Sequence, residues 1–280
     1  PPVNAGKVDN EGFEFALNYY GGDADGFKWD VGVNGGYAQN SVVFLDEIPG
    51  APDYQLQEGR PIGSYLVYES DGVFIDEAAV SSNTLDYSAV KPQLEPGDMK
   101  FKDINGDGAI NDLDQVRLDN SIVPNFNFGA TFNASYKNFD LSVLLQGATG
   151  AKLPILTESG DIGNYLKYSF DNRWSPDNPS SVNPRLASRG DTYYSGGSYG
   201  NNTYNLFSKD YIRLKNVQIA YNFPKAMISQ FGLSAFRVYM SGLNLATWAA
   251  QDIYDPESTS NSGQFYPQQT IINTGFSLTF

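Results

Sequence analysis

Twelve consecutive residues, Asp103-Ile104-Asn105-Gly106-Asp107-Gly108-Ala109-Ile110-Asn111-Asp112-Leu113-Asp114, set oxygen side chains at loop positions 1, 3 and 5 (Asp103, Asn105, Asp107). Gly108 stands at position 6, where a calcium loop turns sharply, and Ala109 at position 7 would offer its backbone carbonyl. Asn111 would act directly or through a water, and Asp114 closes position 12 with a shorter reach than the usual Glu. Ca²⁺ takes about six to eight hard oxygen ligands in a flexible shell. The spacing therefore predicts a Ca²⁺ site made by Asp103, Asn105, Asp107, Ala109, Asn111 and Asp114, with Ile110 anchoring the loop to a core. The competing reading is a solvated Asp/Asn/Gly turn. No helical pattern flanks the segment: Met99 and Phe101 lead in, and Val116 and Leu118 lead out, as strands would. A structural clip that orders a long loop is expected rather than a calcium sensor.

Composition removes most other chemistry. Among 280 residues there is no Cys and no His. That excludes thiolate nucleophiles, zinc–cysteine clusters, Ser-His-Asp triads and imidazole metal sites. Eighteen basic against 32 acidic residues give a net charge of −14 and a pI near 4.3. Such a balance argues against a nucleic-acid partner, whose phosphates need Lys and Arg. Many carboxylates are present, yet no spacing selects a catalytic pair, so the chain is expected to catalyse nothing. Trp174, Tyr193, Tyr194, Tyr199 and Tyr204 are placed to stack on sugar rings or to pack their own loop, and packing is favoured. Gly196-Gly197-Ser198 reads as a turn, since no Walker-type Lys-Ser/Thr follows.

The elements that position these residues read as strands. Period-two alternation runs through Phe13, Phe15, Leu17 and Tyr19, then, past Gly21–Gly26, through Phe27, Trp29, Val31 and Val33. It returns in Phe126 to Tyr136, breaks at Lys137-Asn138, and resumes in Phe139, Leu141, Val143 and Leu145. Val217 to Phe223, Phe236 to Met240 and Thr274 to Phe280 complete about seven strands, with Ile62 to Tyr68 a weaker candidate. No stretch reaches the ~18 apolar residues of a membrane helix, and mean hydropathy is −0.37, which a transmembrane β-barrel also shows. Connections are lopsided: a few residues in some places, long and rich in Gly, Pro, Asn and Ser in others. Short turns on one side and long loops on the other are the barrel pattern.

Ordered segments along the chain resemble the C-terminal third of SusC-like TonB-dependent outer-membrane transporters. They include Asn10-Glu11-Gly12-Phe13-Glu14, Gly59-Arg60-Pro61-Ile62-Gly63-Ser64-Tyr65, Asp71-Gly72-Val73-Phe74 and Pro96-Gly97-Asp98 with the calcium-like loop. Tyr136 to Ser142 with Gln146-Gly147, Asn172-Arg173-Trp174-Ser175-Pro176 and Tyr211 to Val217 follow. Ser241-Gly242-Leu243-Asn244-Leu245 and Tyr254-Asp255-Pro256-Glu257 complete the series. The resemblance implies an all-β fold, an antiparallel transmembrane barrel segment belonging to a plugged barrel of the 22-stranded type. It implies residues 1–280 as the C-terminal part of a longer polypeptide, with the plug elsewhere and a long extracellular loop at 151–210. It also implies import of glycans or peptides across the bacterial outer membrane. The expected partners are the rest of the transporter, a SusD-like surface lipoprotein lid, TonB acting through the N-terminal part, and outer-membrane lipid. Two other readings remain open: a soluble carbohydrate-binding or hydrolytic β module with a dockerin-like calcium loop, and a self-contained eight-stranded barrel. Counting back from a periplasmic Phe280 puts 248–267, 151–210 and the calcium loop outside and the turns at 137–138 and 224–234 inside; the turn at 21–26 is inside as well provided any strands between 46 and 122 are even in number.

Overall fold

The computed structural model describes residues 6–23, 25–156, 163–187, 200–261 and 265–280. Seven long strands form one antiparallel sheet: β1 (Gly6–Gly22), β2 (Phe27–Leu45), β7 (Phe126–Tyr136), β8 (Phe139–Thr149), β11 (Tyr211–Asn222), β12 (Ala235–Ala249) and β13 (Ile271–Thr279). Their spatial order is their chain order. Short connections (23–26, 137–138, 223–234) therefore fall at one end of the sheet and long ones (46–125, 150–210, 250–270) at the other. Among the described residues β1 and β13 each pair on one side only, so the sheet is open. The self-contained eight-stranded barrel is thereby overturned, because the first and last strands do not meet.

The pairing register carries the alternation across every strand. Tyr19, Val31, Phe132, Val143, Val217 and Ile272 share one face, as do Phe27, Tyr136, Phe139, Tyr221 and Phe276. The other face is polar, with Asn18, Lys28, Asp30, Asn34, Asn127, Asn133, Asp140, Ser142, Gln146, Gln218 and Arg237. The apolar face stays uncovered: Leu17 is 65% exposed and Phe276 68%. Aromatic rings bound it at both ends. Phe139 and Tyr221 meet 4.8 Å apart near the short turns, and Phe13 and Tyr37 meet 5.9 Å apart toward the long connections. From Phe126 to Tyr136 the strand spans about 33 Å.

The long connections fold into a cap of their own. Within it β3 (Leu66–Tyr68) pairs β6 (Gln115–Arg117), β4 (Ser70–Val73) pairs β5 (Met99–Phe101), and β9 (Lys152–Pro154) pairs β10 (Leu206–Ser208). The weaker strand candidate at Ile62–Tyr68 is corrected: only Leu66–Tyr68 is extended, and it lies in the cap rather than the sheet. Tyr68, Phe74, Tyr87, Val90, Met99, Phe101, Ile110 and Ala187 make the cap core. Each large apolar side chain buried there contributes about 1.5–3 kcal/mol. The cap grips the wall where the Val42 and Gly59 amides donate to the Arg60 and Val42 carbonyls (2.9 and 2.8 Å).

Candidate functional site

The loop predicted to hold calcium is seated in this cap. Ile110 is fully buried in its core, and the Ile110 amide donates to the Asp86 carbonyl at 2.7 Å. A 3₁₀ turn at Asp112–Asp114 lies inside the loop, and Met99–Phe101 and Gln115–Arg117 flank it as strands. The loop is folded around its own acidic side chains. Asp103 accepts from the Gly106 and Gly108 amides (2.7 and 2.9 Å), Asn105 from Asp107 (3.0 Å), and Asp107 from Ala109 (2.8 Å). Asn111 accepts from the Leu113 amide at 2.9 Å. Asp114, wholly buried, accepts from Ile104 and Asn111, both at 2.8 Å. Gly108 has φ +83 with open space where a Cβ would sit, the sharp turn that position 6 requires.

The electrostatics agree with that convergence. Backbone donation from Ala109, then the Asn105 amide, lowers the Asp107 carboxyl below the ordinary range. Partial burial, then the charges of Asp114, Asp107 and Asp103, raise the Tyr54 hydroxyl beside the loop. Among the described residues no three Asp, Glu, His or Cys side chains alone approach closely enough to form a metal cage. A cation here would need the Asn105, Asn111 and Ala109 oxygens as well, the donor set that Ca²⁺ accepts.

Two further contacts join segments that the sequence resemblance singled out separately. Trp174 donates from its indole to the Ile75 carbonyl (2.9 Å), and its ring closes over Gly97, where a Cβ would come within 2.5 Å. Beside it the Arg185 Nε lies 2.7 Å from the fully buried Asp98 carboxylate. Tyr204 packs against the cap core and donates to Asn183 at 3.0 Å. Trp174 and Tyr204 thus pack their loops, while Tyr193, Tyr194, Tyr199 and the Gly196-Gly197-Ser198 turn lie outside the described residues.

At the cap end of β11, Arg213 is buried against Asp255, Glu257 and Thr247, and Lys215 reaches Glu257 at 3.3 Å. Sequence reasoning missed this cluster. Its signal was present: two cations two residues apart on one strand, and two carboxylates two residues apart in one loop. Lower on the polar face Asn133 donates to Asp30 (2.9 Å) and Asn222 to Asp140 (2.8 Å), and Lys28, Asp30, Asn133, Asp140 and Arg237 line a cavity of about 600 Å³.

No family model matches the chain. It is 30% identical over 269 residues to TonB-dependent receptor P3 of Formosa agariphila, covering 91% of this chain and 26% of that protein. TonB-dependent receptor P26 of the same organism is 29% identical over 304 residues, 99% of this chain and 30% of the relative. TonB-dependent receptor SusC of Bacteroides thetaiotaomicron is 25% identical over 99% of this chain and 27% of the relative. The chain thus spans about a quarter to a third of the length of these relatives. Among solved structures, the RagAB peptide transporter superposes with a TM-score of 0.72 at 21% identity, over 99% of this chain and 30% of that one. The likeness at that identity is one of fold. The relatives are receptors, not enzymes, which sets aside the hydrolytic module.

Proposed function

We propose, from the premise that this chain is homologous to part of the SusC-like TonB-dependent receptors, that it forms a stretch of outer-membrane barrel wall and its extracellular cap in a nutrient importer. One observation carries the reading: a single apolar face crosses all seven strands and is bounded by aromatic rings at both ends, the pattern of a lipid-facing barrel band. No soluble protein gains by presenting so large an apolar surface to water. The opposite, polar face lines the barrel interior. The cargo is an oligomeric nutrient, glycan or peptide. The partners are the remaining strands and plug of the same transporter, a SusD-like lipoprotein over the cap, TonB, and outer-membrane lipid.

Adjacent wall residues test this, because neighbours face opposite media. In the full-length protein, Phe132→Cys should react with a lipid-soluble maleimide and Asn133→Cys with a water-soluble one. Equal reaction of both positions with the water-soluble reagent would overturn the assignment.

A second reading concerns the loop at Asp103–Asp114, a calcium clip for the cap. It is favoured because the loop already wraps its own acidic oxygens and seats Ile110 in the cap core. Asp103, Asn105, Asp107, the Ala109 carbonyl, Asn111 and Asp114 would hold the ion at ~2.3–2.6 Å. The outer surface, where calcium is abundant, suits a site with this short-armed closing residue.

A further inference from the structure

We infer that the outer ends of β11 and β12 carry a built-in phase switch, with Asn244 as the positioning residue that sets it. The switch turns Arg213 from the lipid side of the wall to the inner side, and so fastens loop 250–261 to the rim as a fixed strap. The inference goes beyond import and takes from the wall reading only which face meets lipid. Register carries it. From Asn222 to Asn216 β11 alternates without a break, and Val217, Ile219 and Tyr221 lie on the apolar face opposite Val143, Leu141 and Phe139. At Lys215 the ladder slips. Leu214 and Asn216 pair with the consecutive residues Leu145 and Leu144 of β8, so one residue is extra. On the other side the same two pair with Ala246 and Leu243 of β12, so Lys215 alone faces Asn244 and Leu245. A bulge of this kind re-aims the side chains beyond it. Leu214 and Ile212 take the apolar face, and Tyr211 and Arg213 turn inward beside Ala148 and Gln146. Exposure agrees: Ile212 is 43% exposed and Arg213 1%. Unbroken alternation would reverse these faces, putting a guanidinium toward lipid and taking it away from Asp255 and Glu257.

Asn244 holds the slip. Its φ is +51, in the left-handed region that Gly and Asn tolerate and β-branched residues do not. Its side-chain amide donates to the Gln269 carbonyl (3.0 Å), and its own carbonyl accepts from the Thr270 hydroxyl (2.9 Å). Pairing between β12 and β13 stops just short of it, at Leu243 and Ile271. Leu245 folds back over Gly242, where a Cβ would come within 2.6 Å of it. On the inner side Arg213 and Lys215 both reach Glu257, and Asp255 also takes the Gln268 amide at 3.3 Å. The loop and its return limb at 268–270 are thereby both tied to the bulged strands. Three segments that the resemblance singled out separately, Tyr211–Val217, Ser241–Leu245 and Tyr254–Glu257, meet at this place.

The test uses the full-length transporter in liposomes, carrying Leu214→Cys, Asn216→Cys or Val217→Cys with a nitroxide attached, each read against the transporter without the added Cys. Collision with oxygen, which concentrates in lipid, should be several-fold more frequent at 214 and 217 than at 216. Low access at 214 and 216 with high access at 217 is unbroken alternation, and overturns the inference while leaving the wall standing. Equal access at 216 and 217 overturns the wall reading and the inference together. Asn244→Gly, which keeps the left-handed turn, should preserve the signal at 214. Asn244→Val should lower it several-fold with 217 unchanged, and should speed protease cleavage within 250–261. If Asn244→Val also loses the signal at 217, the wall has not assembled, and Asn244→Ala, which strains the turn less, takes its place. A valine or alanine variant that keeps both the 214 signal and the protected loop overturns the role given to Asn244.

Discussion

One nitrogen of Arg213, Nη2, lies 2.9 Å from each oxygen of Asp255, joining β11 to the loop that leads into β13. Its other nitrogens bond Glu257 and Thr247, so every prong of a buried guanidinium is used. Removing one partner of such a pair leaves a charge buried and alone, which costs about 3–5 kcal/mol, whereas a matched apolar pair is tolerated. Arg213→Ala should therefore open residues 250–261 to protease, and Arg213→Met combined with Asp255→Leu should be cut less.

The loop at Asp103–Asp114, if it is the proposed calcium clip, should respond to both metal and acid. Asp107→Ala should speed amide exchange at Ala109 and Ile110 while the wall strands stay protected, and Ca²⁺ should slow exchange only in the parent loop. The depressed Asp107 carboxyl gives a sign: its stabilisation is full above the ordinary Asp range and fades as pH falls through its own lowered value. Loop exchange, corrected for intrinsic rates, should rise at that acid end. Unchanged exchange with and without Ca²⁺ would remove the clip.

Asp98 behaves oppositely. Burial is the largest influence and raises its carboxyl, with Arg185 pulling the other way. The carboxyl thus holds a proton more readily in the folded cap than in the unfolded chain, so stability from this group declines as pH climbs through the ordinary Asp range toward its raised value. Asp98→Asn should flatten that decline in a melting series. Arg185→Met, which strands the carboxylate, should cost about 3–5 kcal/mol, most of it above that range.

Gly97→Ala tests the docking of the two cap loops. At φ +89 an added Cβ is strained, and it would sit 2.5 Å from the Trp174 ring and 2.8 Å from the Arg185 Cβ. Trp174 emission should shift to the red as the ring leaves its seat. Emission identical to the parent would show that the loop absorbs the methyl.

Sidedness follows from the connections. This stretch has no Cys, so an introduced one is its first thiol, read against the transporter without it. A Cys between 103 and 114 should label on intact cells, and one at 137 or 138 only after the outer membrane is breached. The reverse pattern would invert the wall.

The strands were legible because a barrel wall forces alternation on every residue it contains. Phe126 to Tyr136 is found as read, and Phe139 to Thr149 runs four residues past the last alternating residue noted, Leu145. β2 was read to Val33 but runs on to Leu45, since Gly35-Gly36 and Asn40 blur the period where the strand pairs the polar start of β1. The cap core was hidden. Tyr68, Tyr87 and Ile110 are far apart in a segment whose strands are three or four residues long, too short to show a period. The resemblance flagged Pro96-Gly97-Asp98 and Trp174 as separate segments. Only the fold shows that they are two halves of one contact.

A ribbon with two bare edges cannot wait in oil. The outer flanks of β1, 17 residues long, and β13, 9 residues long, carry backbone N–H and C=O groups without neighbours among the described residues. In hydrocarbon each such group costs several kcal/mol, so both edges need strand partners there. A copy freed early would find its neighbour in another copy, edge to edge, and precipitate. Wherever this wall stands in a bilayer, both of its flanks must therefore be closed by further strands.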